Sequence, residues 1–300
     1  MSKQIKLVNA LNLDTGELFN GVDYRSLQGK TISTSEGKQK QTKYKLDREN
    51  KTEFDEIAGS SFVFVLADTL QALSEDDTFT PAEKTRIMLL GTYVTYKEQG
   101  GYLRHDNGNY ILKNKLMKLL EMKSKKQFYS FYDKLISTGI IQPEEYTKQK
   151  VYLKFNSNLI FKGSPSVTNQ NENNLIKLYC KQFRELYREN TATSVYSCVQ
   201  LLPYIHPVTN TVCLFPKEEI NHCYPLTMQE TAILVGVKRS HDLKKKLMKL
   251  TLHNTTLIYQ HDSPHAPFIM VNPFLVYRSN KPPHKGTVLA FRDTGKMLIK

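Results

Sequence analysis

Apolar residues along this 300-residue chain fall into short runs of helical or strand period, and one ordering of those runs occurs twice. Between Leu119 and Gly163, and again between Leu234 and Ser279, a short apolar segment leads into a sharp turn and a basic amphipathic helix. A strand then closes each stretch on Asn and an aliphatic pair. Shifted by 115 positions, Leu119, Met122, Lys123, Phe128 and Leu135 fall on Leu234, Val237, Lys238, Leu243 and Leu250. One further residue of offset lays Asn156-Ser-Asn-Leu-Ile-Phe-Lys162 on Asn272-Pro-Phe-Leu-Val-Tyr-Arg278. The word Lys115-Leu-Met-Lys-Leu119 also recurs as Lys246-Leu-Met-Lys-Leu250, but at 131 positions it joins the first helix of one stretch to the second helix of the other. Only the shifted match is structurally consistent.

The remaining pattern fills in around these stretches. Ile5–Leu13 and Leu18–Val22 flank Asp14-Thr-Gly-Glu17 and predict a β-hairpin. From Gly29 to Glu53 the chain is polar and Lys-rich, with too few apolar anchors to order itself, and reads as a flexible basic arm. Ser61–Leu73 is an apolar run, either a strand or a buried helix. Thr80-Pro81-Ala-Glu83 supplies an N-cap, a first-turn proline and a capping-box glutamate for a helix running to about Glu98. Tyr102-Leu103 and Tyr110-Ile111 predict a short hairpin, and Lys113–Glu121 a helix with Leu116, Leu119 and Leu120 inward. Ser124 caps the next helix, which buries Phe128, Leu135 and either Phe131 or Tyr132 and stops at Thr138-Gly139. Ile140-Ile141 and Val151–Phe155 flank a polar tip. After a polar linker, Leu175, Tyr179, Phe183 and Leu186 predict a connecting helix to Glu189. Helices over 193–202, 226–234 and 240–250 and strands over 257–259 and 268–271 repeat the plan, and the basic tail 281–300 is either a strand or an arm.

The expected fold is therefore α+β, mostly α: two tandem winged helix-turn-helix domains behind an N-terminal β-hairpin and flexible basic segment. The divisions are residues 1–60, a first winged-helix domain over 61–163, linker and connecting helix over 164–190, a second winged-helix domain over 191–280, and a basic C-terminal tail over 281–300.

Charge sharpens this picture. A formal net charge of +13 at pH 7 concentrates polyanions near the surface and makes nucleic acid the leading partner. The N-terminus lacks the pattern of a secretory signal, and no apolar window approaches the ~18 residues of a membrane span. A cytoplasmic protein with no membrane partner is expected. Cys180, Cys198, Cys213 and Cys223 have no Cys-x-x-Cys spacing and read as reduced thiols. A zinc set of His206, Cys213, His222 and Cys223 has spacings that match no familiar module. Gly29-Lys-Thr31 is not a phosphate loop, because Tyr24 stands where that loop needs glycine. The adjacent pairs Glu144-Glu145 and Glu218-Glu219 do not form a placed acid–base dyad. Neither an enzyme nor a cofactor is expected.

The residues Leu119-Leu-Glu-Met-Lys-Ser124 through Leu135, Thr138-Gly-Ile-Ile141 and Tyr152-Leu-Lys-Phe-Asn156 with Leu159-Ile-Phe-Lys-Gly163 carry a resemblance. In the second stretch it is carried by Leu201-Leu-Pro-Tyr204, Asn210-Thr-Val-Cys213, Leu226-Thr-Met-Gln-Glu230, Gly236 and Val271-Asn-Pro273 with Tyr277. The pattern resembles the winged helix-turn-helix initiators encoded by bacterial plasmids and phages, including RepL-like plasmid replication proteins. The resemblance spans about two thirds of the chain, and Ser157 departs from it where the second stretch has Pro273. It implies a replication initiator that binds origin repeats in double-stranded DNA and meets host replication proteins. Transcription regulators of phage or plasmid genes use the same unit, and a protein–protein interaction module with incidental charge is the reading from another class.

In a helix-turn-helix the second helix enters the major groove with its N-terminal side chains on base edges. That assigns Lys123, Ser124, Lys125, Lys126, Gln127, Tyr129 and Ser130 in the first unit, and Lys238, Arg239, Ser240, His241, Lys244 and Lys245 in the second. Gln127 suits adenine and Arg239 guanine, each worth ~1–3 kcal/mol of discrimination. The lysines position on phosphates, and Lys148 and Lys150 at the wing tip reach an adjacent groove or the backbone. An alternative for the second unit is a dimerisation wing without DNA contact, giving a homodimer.

Overall fold

The computed structural model describes residues 7–11, 18–23, 42, 45, 48, 51–52, 54–96, 100–147, 150–164, 174–219, 221–252, 255–261, 267–279, 283–284 and 286–291. The chain divides into two compact units, Met1–Glu53 and Phe54–Lys300. In the first, β1 (Leu7–Leu11) and β2 (Leu18–Asp23) pair antiparallel with a register shift between Val8 and Ala10. This is the predicted hairpin. Of the segment expected to be a flexible arm, Thr42, Lys45, Arg48, Lys51 and Thr52 are described, and all are helical and exposed. The rest of it lies outside the described residues.

The second unit is α+β with small antiparallel sheets. It opens with helical residues 54–58, of which Phe54 and Ala58 are buried; β3 (Phe62–Leu66) follows and passes without a break into α1 (Ala67–Glu75). Then come α2 (Pro81–Gly91), α3 (Lys113–Leu119), α4 (Lys125–Ser137), the hairpin β4 (Ile141–Thr147) with β5 (Lys150–Phe155), and the short closing strand β6 (Ile160–Phe161). The order then repeats. β7 (Leu175–Tyr179) passes into α5 (Cys180–Glu189), followed by α6 (Ala192–Val199), α7 (Met228–Leu234) and α8 (Ser240–Lys249). Two hairpins follow, β8 (Thr251–Leu252) with β9 (Thr255–Thr256) and β10 (Ile258–His261) with β11 (Phe268–Val271), and β12 (Val276–Tyr277) closes the repeat.

One sheet joins the two halves, in the antiparallel order β12-β7-β3-β6. Its register repeats. Phe64 pairs with Phe161 and Val65 with Ile160, while Lys177 pairs with Tyr277 and Leu178 with Val276. At the centre Phe62 faces Tyr179, Phe64 faces Lys177 and Leu66 faces Leu175, so the pattern is symmetric about the Phe64–Lys177 pair. Strand alternation sends Val63, Val65, Ile176 and Leu178 into the main core, and Phe64, Leu66, Phe161 and Leu175 into a separate cluster. α2 packs on its counterpart α6, and the Thr85 hydroxyl donates to the Ala192 carbonyl at 2.8 Å.

Several expectations change. The connecting helix predicted from Leu175 begins only at Cys180, because Leu175–Tyr179 is the ladder strand between β3 and β12. Its apolar spacing of four, four and three fits a helix, but pairing on both sides overrides a local period. α2 ends at Gly91 rather than near Glu98, since Val94 turns to bridge Leu103. A Cβ on Gly91 would lie 2.2 Å from Ile160 Cδ1, so glycine lets β6 pack against the helix end. β4 and β5 run further toward the tip than predicted, from Ile141 to Thr147 and from Lys150. The tail is neither strand nor arm where it is described: residues 286–291 are helical, and Phe291, fully buried, sits 6.3 Å from the Tyr259 ring. The linker residues 165–173 lie outside the described residues.

Candidate nucleic-acid interface

The two basic helices are set by the same local chemistry. In the turn before α4, the Met122 N–H donates to the Met117 carbonyl at 3.0 Å and the Glu121 N–H to Lys118 at 3.1 Å. Before α8, the Val237 N–H donates to Ala232 at 2.8 Å and the Gly236 N–H to Ile233 at 3.1 Å. Each of these positions lies 115 residues from its counterpart. Both turns need a left-handed residue, filled by Glu121 (φ 51°) in one and Gly236 (φ 70°) in the other. The inner face of α4 is anchored by Phe128, Phe131, Tyr132 and Leu135, all buried, and that of α8 by Leu243 and Leu247. Burying each such side chain contributes roughly 1.5–3 kcal/mol, which fixes the rotation of the helix and hence which residues face water.

On the outer face of α4, Lys125, Lys126, Gln127, Tyr129 and Ser130 are exposed together, with Lys123 just before them. Tyr129 is 53% exposed and touches Phe128 edge-on. Ser124 has a different role from base contact: its hydroxyl accepts the Gln127 N–H as the helix cap. Lys148 lies outside the described residues, and Lys150 begins β5. On the wing, Lys154 is tied to Glu144 at 3.3 Å, and Glu144 also accepts the Tyr102 hydroxyl.

Before and on α8, Lys238, Arg239, His241 and Lys245 are exposed and Ser240 and Lys244 half-buried. Arg239 is not a free fork. Its Nε donates to Asp242 Oδ2 at 2.8 Å, one turn on, which holds the guanidinium by one edge and leaves its two terminal nitrogens for any contact with guanine. Lys246 and Lys249, further along the helix, are also exposed.

Two residues outside the sequence-predicted set join this face. Lys113 and Asn114, at the start of α3, line a cleft of about 390 Å³ with Lys125, Tyr129 and Val151. Lys113 Nζ lies 4.4 Å from the Tyr132 ring centroid. The signal was present as a basic start to a helix whose leucines claimed attention. The counterparts in α7 are Met228, which is buried, and Gln229. The first half therefore brings cations from two helices to one face, and the second offers them from one.

Burial pushes the Cys198 and Cys213 thiols up to about 12. Glu230 is held below the usual carboxylate range by the N–H and hydroxyl of Thr227, its capping-box partner. Of the candidate zinc set, His206, Cys213 and Cys223 are buried and His222 is exposed, and among the described residues no His, Cys, Asp or Glu group is placed to hold a metal ion. No described helix is long and apolar enough to cross a membrane. No protein-family model, curated protein or solved structure matches the chain.

Proposed function

We propose that this chain is a sequence-specific double-stranded DNA-binding protein built from two tandem winged helix-turn-helix units, and that it acts as a plasmid or phage replication initiator. In this reading it binds origin repeats with α4 and α8 and brings host replication proteins to them, with no bond chemistry of its own. The observation that carries the reading is the repeated turn. Identical backbone bonds at positions 115 residues apart deliver two basic helices of the same rotation, each followed by antiparallel strands. A helix of this kind fits the major groove. Gln127 is the exposed amide suited to adenine, and Lys125, Lys126, Lys244 and Lys245 suit phosphates. Lys113 and Asn114 add a backbone contact beside α4. Base reading rests mainly on the first unit, since α8 offers chiefly a lysine face and an arginine held by Asp242.

Footprinting on the chain's own locus, followed by titration at about 0.15 M salt, tests this. A protected site preferred over competitor, with affinity falling steeply as salt rises, is expected. Equal affinity for all duplexes, or no salt dependence, would reject it. Replacing Lys125, Lys126, Lys244 and Lys245 by Ala should abolish binding and, with it, replication of a plasmid carrying only that origin. A reporter response without any change in copy number would instead assign the same fold to transcription control.

A further inference from the structure

Symmetric pairing about Phe64–Lys177 gives each side of the second unit a counterpart, and on one pair of sides the charges are opposite. α3 and α5 flank an open cleft of about 920 Å³ whose lining includes Leu119, Lys115, Lys118, Arg184, Tyr187 and Arg188. The counterpart cleft, between α1 and α7, is about 210 Å³ and is lined by Gln71, Ser74, Glu75 and Leu234. Position by position, Arg184 is replaced by Gln71, Tyr187 by Ser74 and Arg188 by Glu75. On the flanking helices, Lys115 is replaced by Glu230 and Lys118 by Ile233. The backbone repeats and the side chains do not.

Each side carries a feature its own half leaves unused. On the basic side Lys115, Lys118 and Arg188 are exposed, and none has an ion-pair partner among the described residues. Arg184 in the same cleft is committed: it bonds both Asp106 oxygens, at 2.9 and 2.7 Å. On the acidic side Ile233 is 72% exposed, more than any other large apolar residue described. Glu75 is exposed one helix away, and the exposed Leu214 and Phe215 lie on the neighbouring loop with Glu218 and Glu219. Lys217 on the same loop is exposed too but is held by Asp68 of α1 at 2.8 Å, so this loop and the helix beside it stay acidic on balance. In a chain of net charge +13, an acidic side repels DNA and attracts basic protein surface. The partner whose charge is already given is the chain's own other side, where Lys115, Lys118 and Arg188 outnumber Glu121 around a cleft with apolar Leu112, Leu119 and Tyr93 in its wall, Asp106 being taken by Arg184.

We propose that copies of this chain associate head to tail, the side carrying Glu75, Glu230 and Ile233 of one copy docking on the cleft carrying Lys115, Lys118 and Arg188 of the next. Because the two docking sides differ, the contact is heterologous and leaves one unused side at each end, so it extends instead of closing on a dimer. Such growth suits copies set side by side on an array of sites, but it does not require DNA. Its rim of charge makes it sensitive to salt.

Sedimentation of the full chain without DNA tests this, so its outcome is separate from that of the DNA-binding reading. At micromolar concentration in low salt the unaltered chain should form a concentration-dependent series beyond the dimer and return to monomer as salt rises. Two variants each lose one side without gaining the opposite charge: Lys115→Gln with Lys118→Gln, and Glu75→Gln with Ile233→Gln. All four positions are exposed, and unchanged melting temperatures will show that both variants fold. Each alone should be monomeric. Mixed in equal amounts they should form a one-to-one pair and nothing larger, because each contributes one intact side. A monomeric unaltered chain, association that survives either variant, or failure of the folded variants to pair would overturn the proposal. So would a cleft variant that loses DNA binding while self-association is unchanged.

Discussion

Phe64 and Lys177 are Cα partners at the centre of the four-stranded sheet, and from that pair the register reads the same in both directions. The two residues stand 113 positions apart, the same separation that relates Leu70 to Phe183 and Leu73 to Leu186 on the buried faces of α1 and α5. The central pair itself is chemically unequal: Phe64 is buried in the smaller apolar cluster, while Lys177 Nζ reaches the Ser279 carbonyl at 2.8 Å. The backbone plan is thus duplicated and the side chains have diverged on it.

The turns before α4 and α8 share a left-handed position but only one has glycine. A non-glycine residue there is strained by about 1–2 kcal/mol, while glycine adds unfolded-state entropy. Glu121→Gly should therefore stabilise the chain by about 0.5–1 kcal/mol, and Gly236→Ala should destabilise it by about 1 kcal/mol. Denaturant midpoints would check both, and a loss of stability on Glu121→Gly would mean the glutamate has another role.

The closing segments also match unequally. Asn156 Oδ1 accepts the Asn158 N–H, and Asn272 Oδ1 accepts the Phe274 N–H, both at 2.9 Å. Asn272 is fully buried, and its amide donates to Thr255 Oγ1 and the Thr256 carbonyl, each at 3.1 Å. Asn156 is only half-buried and donates to Gly139. Asn272→Ala is expected to cost about 2–3 kcal/mol and Asn156→Ala about 1 kcal/mol, because buried partners left unpaired bear the larger penalty. Thermal or denaturant unfolding of the two variants gives the comparison directly.

Arg184 fastens α5 to the hairpin of the first half. Its guanidinium lies 3.7 Å from the Tyr93 ring centroid, donates from Nε to the Thr92 hydroxyl at 2.9 Å and from Nη2 to the Thr92 carbonyl, and from Nη1 to both Asp106 oxygens. Arg184→Ala should destabilise by roughly 2–4 kcal/mol, and Arg184→Lys should recover little, since lysine cannot stack and fork at once. Asp106, largely exposed, should tolerate Asn at a cost below about 1 kcal/mol. Equal costs for the two sites would place the stability in the ion pair instead of the Thr92 and Tyr93 contacts.

Burial, with the nearby Arg278 charge adding to it, holds the His206 imidazole below its ordinary pKa. Its Nδ1 accepts the Val208 N–H at 3.3 Å, so the neutral ring is the folded form. In the unfolded chain the ring takes up a proton near pH 6.5, earlier on acidification than in the fold. The unfolded state therefore binds more protons in this window, and stability is fully present above about pH 6.5 and lost as pH falls toward the folded value. Unfolding measured from about pH 8 to pH 5 should fall more steeply for the unaltered chain than for His206→Gln, which does not titrate there. Parallel curves would remove His206 from the acid response.

Much of this was legible in the residue order. The 115-position offset located both turns and both basic helices, because a buried helical face repeats its apolar residues whatever surrounds it, as Phe128, Leu135, Leu243 and Leu247 do. The capping pair Thr80–Glu83 is likewise local chemistry: a hydroxyl and a carboxylate three residues apart meet free N–H groups. Tertiary structure decided what depends on residues distant in sequence. Leu175–Tyr179 is a strand because β3 and β12, more than 90 positions away on each side, hydrogen-bond to it. Which polar groups are available for binding also had to be seen in space. Local bonds commit Ser124 to its cap and Arg239 to Asp242, while folding alone brings Lys113 and Asn114 beside Lys125. The offset determined that the chain has two copies of one plan; only the sheet, by setting them antiparallel, turned unlike side chains at matching positions into sides of opposite charge.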